Sequence, residues 1–492
     1  MNSRMAFVVL GVWACVCAVG CRTTKQVLDD YERNVANGYY SDAVSEVTEL
    51  AEKQDDSQQL WRLLSASANY MADNKDEAIR QFDAAEEMFR KNDTTSVFAQ
   101  GGQGALAMMT NDRAFSYEGG GQDRIFTCLY RSIDFMAQGN IDSARVELNR
   151  ASQYQANWLY DRRRDVDAAA NKLREDADAY VKKQGVRQEG NRSQQTASVL
   201  RDASFAGQVR EKCGFDPARD GNLDHLATKD FMNVYAAHVC GIFRWLNGDS
   251  DMNYLKAVSA MTPGNRVTAR DYRELDRGIR PSNQVWVYVE DGLCPCREEW
   301  RLDLPLGLLP FAGKYVIYAG MALPYLRYRN HGATAWSVQA GSSMQNMTEL
   351  ANVDSLVKVE YDVYMRGAIA REITRTIVKV GAQAALGVAA DAALRRHDKK
   401  GGGMGDYWAL KAAQIGVATW AATTTAADLR SWTALPKIVK MARVDRPADG
   451  KLVVMADGQQ IQLTIPPGNT MVFIRKPGPL AVPVVKMATF RM

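Results

Sequence analysis

Histidine is scarce in this chain, with four copies among 492 residues, which leaves histidine-based catalysis and His-rich metal sites little material. Net charge is nearly absent too: 61 basic and 57 acidic side chains leave +4, which excludes nucleic-acid binding by bulk electrostatics. With 14 Pro and 37 Gly the chain is neither collagen-like nor of disordered composition. Local catalytic signatures are missing as well. No GxSxG elbow, HExxH, CxxC or HxxxH occurs, and Gly102-Gln103-Gly104 lacks the preceding strand of a dinucleotide site. The nearest phosphate-loop lookalike, Gly307 to Gly313-Lys314-Tyr315, has one residue too many between its glycines and Tyr where a metal-binding hydroxyl is needed. Glu298 and Glu299 are adjacent, so a strand turns them to opposite faces, unlike paired glycosidase carboxylates. What remains is a folded chain with 46% hydrophobic and 24% charged residues, long enough for about three domains.

At the N-terminus, Arg4 precedes an apolar stretch from Met5 to Val19, the layout of a secretory signal and too short for a comfortable membrane span. The stretch ends in Ala18-Val19-Gly20-Cys21, which resembles the lipobox of bacterial lipoproteins. That resemblance implies a signal peptide over residues 1–20 and acylation, with palmitate among the chains, of the Cys21 thiol. Arg22 is not the Asp that retains such proteins in the inner membrane, so the resemblance points to the outer membrane, facing the periplasm. The lipidated N-terminus would be the membrane contact.

Five cysteines remain after processing: Cys128, Cys213, Cys240, Cys294 and Cys296. An odd number in an oxidising compartment leaves at least one unpaired. Buried thiols are the simplest reading, Cys213 with Cys240 is the best candidate bridge, and a metal site using these with His225 or His238 lacks the usual spacing. No cofactor and no metal are expected.

Residues 21–261 read as helices. Three segments repeat a pattern of Gly or Asn followed by a small residue at a crossing: Gly38 with Ala43, Asn74 with Ala78, and Gly139 with Ala144. Ala43 and Ala78 are about one tetratricopeptide length apart and Ala78 and Ala144 about two, so these segments resemble tetratricopeptide repeats. A weaker copy lies in Phe231 to Ala260, around Gly241 and Gly248. Residues 159–180 carry a heptad-like stripe and residues 188–198 read as a polar loop. Residues 262–283, rich in Arg, Asp and Pro, read as a linker.

The period then changes. Val285-Trp286-Val287-Tyr288-Val289-Glu290 and the alternating Glu299 to Leu304 read as a hairpin or a nearby strand pair, with further strands at 314–319 and 335–340. Residues 284–350 form a first β block. Residues 351–430 read as an inserted helical hairpin, interrupted near Gly367, with helices over 354–396 and 406–430. Its many Ala, Gly and Thr fit either a membrane-touching or partner-docking hairpin or a tightly packed soluble one, and Lys379, Asp391, Lys411 and Asp428 favour the second. Strand signals return in residues 431–492, a second β block assigned to the same domain as 284–350 and expected to fold with it from Pro281 onward. The fold class is α+β and multidomain: an irregular tetratricopeptide-like helical array followed by an antiparallel β-sandwich-like domain with an inserted helical hairpin.

Tyr117-Glu118, Ala144 to Arg150, Val287-Tyr288-Val289-Glu290-Asp291-Gly292, Arg371 to Arg375 and Asp428-Leu429-Arg430-Ser431-Trp432 together resemble an uncharacterised family of bacterial outer-membrane lipoproteins with helical repeats in front and a β-rich C-terminal part. Genes of that family neighbour envelope lipoproteins that activate peptidoglycan synthases, so the resemblance implies an envelope role. The sequence-level expectation is a non-enzymatic, lipid-anchored scaffold that binds other envelope proteins through its repeats, linked to cell-wall synthesis or envelope assembly. An envelope enzyme acting on peptidoglycan or glycan, and a structural subunit of a secretion or assembly complex, are the alternatives.

Overall fold

The computed structural model describes residues 22–94, 111–158, 192–217, 232–249, 251–304, 315–330, 332–333, 335–400 and 404–490. The stripe at 159–180 lies outside them; of the loop expected at 188–198, residues 192–198 are instead helical within Arg192–Arg201, whose Thr196 and Val199 are buried, and the rest lies outside.

The helical part begins with α1 (Thr24–Asn37), nucleated by a reciprocal cap: the Gln26 amide donates to the Thr23 hydroxyl and the Thr23 amide to the Gln26 side chain. It stops at Gly38, whose φ of 81° is the left-handed value that glycine adopts at low cost. Then come α2 (Tyr40–Glu52), α3 (Gln58–Met71), α4 (Lys75–Thr94), α5 (Gly121–Ala137) and α6 (residues 141–158). Ala43, Ala78 and Ala144 are fully buried, as the repeat spacing requires. The turn before α4 uses Asp73 at φ 60°, one position ahead of the Asn74 that the pattern singles out. After α7 (Arg192–Arg201) and α8 (Ala203–Cys213), the weaker copy is also a helix pair, α9 (Val234–Leu246) and α10 (Asn253–Met261). There Gly241 takes the crossing: a Cβ at that position would stand 2.6 Å from the Leu255 side chain.

Residues 262–283 are not a plain linker. They hold α11 (Arg266–Asp276), started by Asn265, whose side chain accepts from the Val267 and Thr268 amides. Its Arg and Asp residues looked solvated in sequence, yet Val267, Thr268, Asp271 and Leu275 are buried.

Three sheets follow. The central one runs β11-β10-β1-β7-β6, from β11 (Val484–Phe490), β10 (Asn469–Lys476), β1 (Gln284–Asp291), β7 (Ile438–Asp445) and β6 (Thr348–Asn352). Every described pairing is antiparallel except β1 with β10, which is parallel and places Tyr288 beside Phe473. A second sheet orders β5 (Ser343–Asn346), β4 (Trp336–Ala340), β8 (Lys451–Ala456) and β9 (Gln459–Thr464). β2 (Cys296–Asp303) pairs with β3 (Gly320–Arg327) in a separate ribbon. The expected hairpin of residues 285–304 is therefore not formed, because the Cys294 amide bonds to the Leu435 carbonyl and leads the chain away from β1. The strand expected at 314–319 lies later, at β3.

β1 is buried along its whole length because its two faces serve two cores. Val285, Val287 and Val289 face the second sheet with Val338, Leu452 and Val454; Trp286 and Tyr288 join Met441, Met471 and Phe473 in one cluster with helices α1 to α6 and α9 to α11. The layers are helices, mixed sheet and antiparallel sheet, in an α+β chain.

The long helix α12 (Val353–Lys400) is continuous through Gly367, contrary to the expected interruption. Met365 and Ile369 pack with Met321 and Leu323 of β3, enough burial to outweigh the roughly 1 kcal/mol helical penalty of glycine. α13 (Met404–Thr424) ends six residues short of the expected Arg430, because Arg430 is held in extended chain by the carbonyls of Asp56 and Phe115.

Residues 281–492 expressed alone should fail to melt cooperatively, since the Trp286, Tyr288 and Phe473 face would lose its helical cover. Circular-dichroism melts check this; a sharp transition with full strand content would show the two β blocks to be self-sufficient.

Candidate functional site

The polar residues of β1 and its neighbours point at the helices. Glu290 accepts from the hydroxyls of Tyr130 on α5 (3.0 Å) and Tyr235 on α9 (2.8 Å), and Arg475 of β10 lies 3.7 Å from it. Arg475 also donates to the carbonyls of Gly292 and Ala434. Burial pushes the Glu290 carboxyl above its usual range, and Arg475 and the two hydroxyls oppose that rise. Both carboxyl oxygens are used, and the group is sealed from solvent.

One strand pair away, His238 of α9 places Nε2 2.9 Å from Asp271 of α11 and Nδ1 2.9 Å from the Tyr288 hydroxyl. Because the carboxylate only accepts, Nε2 carries the proton toward Asp271, and Nδ1 shares the other hydrogen bond with the tyrosine hydroxyl. Asp271 also takes Arg443 at 2.8 Å and the Trp286 indole at 3.2 Å, while Arg443 stacks over Trp286 at 4.8 Å. A histidine held by an aspartate resembles part of a hydrolytic triad, but the tyrosine in the third place and zero exposure of His238, Asp271 and Tyr288 make this a structural link.

The third cluster fastens α12. Asp112 accepts from Arg371 (3.0 Å) and Tyr364 (3.2 Å) and pairs with Arg375 (2.7 Å). Burial disfavours the Asp112 carboxylate, yet the two guanidinium groups outweigh it and hold the carboxyl below its usual range. Arg430 pairs with Asp428, and the Trp432 indole donates to Ser67 of α3 at 2.8 Å. Glu147 takes both Arg131 and Arg150 at 2.8 Å. Nearly all the short segments behind the lipoprotein resemblance thus lie in buried links between helices, sheet and α12.

The cysteines expected as a pair are apart. Cys213 sits in the cluster beside α12 and Cys240 in the helix-and-sheet cluster; Cys128, Cys213, Cys240, Cys294 and Cys296 are all buried and unbridged. The Cys213–Cys240 bridge is therefore not formed. Burial pushes the Cys294 thiol up to about 12 and that of Cys296 to about 11, so neither is a nucleophile at neutral pH. Among the described residues no group of three or more His, Cys, Asp or Glu is placed to hold a metal. His225 and Cys21 lie outside those residues.

What the sequence did not reveal is a surface recess. A cavity of about 480 Å³ opens along β6, lined by Thr348 to Asn352, by Met232 and Val234 at the start of α9, by Met261 to Asn265 after α10, and by Ser355 and Leu356 of α12. Asn265 fixes its wall by donating to the Glu349 carbonyl at 2.9 Å. β6 is the edge of the central sheet, with β7 as its neighbour on one side. Four chain segments distant in sequence meet here, which is why no local motif announces it. Comparison of the chain with protein families, characterised proteins and solved structures returns no match.

Asp112→Ala should destabilise the protein by roughly 3 to 5 kcal/mol at pH 7, because the largely buried Arg371 loses its ion-pair partner and buried Arg375 is left with Glu372. The stabilisation from a depressed carboxyl is full above the usual carboxylate range and is lost as pH falls through the folded value, so the gap between wild type and variant should narrow below about pH 4. Denaturant titrations at pH 7 and pH 3 measure it; an equal gap at both would mean that Asp112 is not ionised.

Proposed function

We propose that the chain is a lipid-anchored scaffold of the bacterial envelope, held in the outer membrane through Cys21 and facing the periplasm, that binds an extended segment of another envelope protein along β6. The anchor rests on Ala18-Val19-Gly20-Cys21 and the apolar stretch before it. The binding reading rests on one observation above all: an edge strand flanked by a recess of side-chain size. An added strand takes its affinity from main-chain hydrogen bonds and its selectivity from a side chain set in such a recess. The mixed lining of Met232, Leu350 and Leu356 with Thr262, Asn352 and Ser355 suits a medium apolar side chain with a polar neighbour.

The repeats enter this reading as support for the sheet rather than as the binding face. Their apolar stripes, which in an open array line the groove for a partner, are turned to the chain's own β1, β7 and β10. The surface left for a partner is then the sheet edge beside α9 and α10.

In cells given labelled palmitate, Cys21→Ser should lose the label, and a photo-reactive side chain at exposed Asn352 should give a discrete adduct with one envelope protein that the same group at Met344 does not. Equal labelling of the Cys21→Ser chain contradicts the anchor. Identical adduct patterns from positions 352 and 344 contradict the β6 site.

A further inference from the structure

The hairpin of α12 and α13 places its charges in an unusual way. The two helices run antiparallel: the Gln414 side chain donates to the Gln383 carbonyl at 3.2 Å, and Lys379 donates to the Thr425 hydroxyl at 3.4 Å. Lys411 donates to Gln414 at 3.2 Å, and Asp391 accepts from Tyr315 at 2.8 Å. Three of the charges that favour a soluble hairpin in the sequence, Lys379, Asp391 and Lys411, are therefore engaged within the packed assembly. The fourth, Asp428, lies beyond the helix end, paired with Arg430.

The outward surface is correspondingly apolar. Trp408 is 64% exposed, Ile415 58% and Val388 49%, and Ala409, Ala412, Ala413 and Gly416 are exposed beside them. A helix that meets water on one side carries charge there, and the one charge of α13 from Tyr407 to Thr424, the half-buried Lys411, is turned to Gln414. The polar groups near its end are satisfied internally: Thr423, Thr424 and Thr425 donate to the carbonyls of Thr419, Trp420 and Ala421 respectively. Charged side chains gather at the far end, with Arg395, Arg396 and Asp406 exposed.

Length and position agree with one occupant. Twenty-one helical residues span about 31 Å, close to the roughly 30 Å hydrocarbon thickness of a bilayer. By length and composition alone, α12 is the one helix among the described residues long and apolar enough to cross a membrane, over Val353–Arg396, and just over half of its most apolar stretch is buried in the protein. At the base of the hairpin, Asn111 donates to the Thr424 carbonyl at 2.8 Å, and Arg113, two residues on, donates to the Thr24 hydroxyl at 3.4 Å. Thr24, three residues after Cys21, thus lies beside the hairpin base.

From these observations we infer that the α12–α13 hairpin inserts into the phospholipid bilayer, with Thr424 at the near surface and Arg395 and Arg396 at anionic headgroups on the far side. The assignment of the near surface rests on the lipid anchor proposed above; insertion itself rests on the hairpin. Inserted in this way, the exposed apolar face meets lipid, while Gln383 and Gln414 stay turned to one another and to residues 315–318, whose main-chain groups they bond.

The test uses the full-length chain purified from membranes and reconstituted in vesicles of phosphatidylethanolamine and phosphatidylglycerol, with a polarity-sensitive fluorophore on Ile415→Cys or, as control, on Met344→Cys. Lipids brominated on their acyl chains should quench the Ile415 label roughly two-fold or more, as a position near mid-bilayer requires, and leave the Met344 label unchanged. Aqueous iodide should do the reverse. Equal iodide access at both positions overturns the proposal, as does protection of the Ile415 label by a co-purifying protein in the absence of lipid. Palmitate labelling read on the same samples separates the two claims: a labelled chain with an unquenched Ile415 probe fails the hairpin alone, and an unlabelled chain with a quenched probe fails the anchor alone.

Discussion

β1 has no face to give to water. Its valines close one core and its Trp286 and Tyr288 the other, and both its neighbours, β7 and β10, arrive about 150 residues or more later in the chain. Such a strand can end in a carboxylate only if partners are supplied, and Glu290 receives them from α5, α9 and β10. Buried pairs of this kind add little net stability over apolar contacts, whereas a lone buried charge is expensive. Their consequence is geometric. A helix array docked one turn away would strip Glu290 of its two tyrosine hydroxyls and Asp271 and Asp112 of their arginines, so these three acids fix how the helices, the sheet and α12 meet.

That constraint explains what could and could not be read from the residues. Ala43, Ala78 and Ala144 declared themselves because a small residue at a fixed spacing is a local requirement of a helix crossing. The strands from Ile438 to Val485 declared themselves through β-branched alternation and turn glycines. Long-range pairing left no such trace: the parallel match of β1 with β10, and the separation of β2 from β1, depend on contacts that no window of sequence contains. α11 was hidden by its charges, since Asp271 and Arg270 look like solvated linker residues until His238 and Arg443 are brought to meet them. The recess on β6 was illegible for the same reason, being assembled from α9, α10, β6 and α12. In the hairpin, composition showed small residues and charges but not the face each charge takes, and that orientation decides between water and lipid as its surroundings.

Fold and proposed role connect through this division of surfaces. The repeats are engaged with the sheet, the second sheet covers its other side, and among the described residues the edge of β6 and the apolar hairpin are turned outward. In the proposed reading the first meets a partner protein and the second meets lipid. The hairpin base lies next to the start of the described chain, so a lipid at Cys21 and the hairpin would hold one side of the body to a membrane.

The central claim, that buried acids make the helices and the central sheet a single cooperative unit, is tested most directly by native-state hydrogen exchange in increasing denaturant. The account predicts that amides of Tyr130 and Tyr235 on the helices, and of Tyr288 and Phe473 in the sheet, open with the same free energy and the same denaturant dependence. Helical amides that exchange through a smaller opening while β1 and β10 stay protected would contradict it.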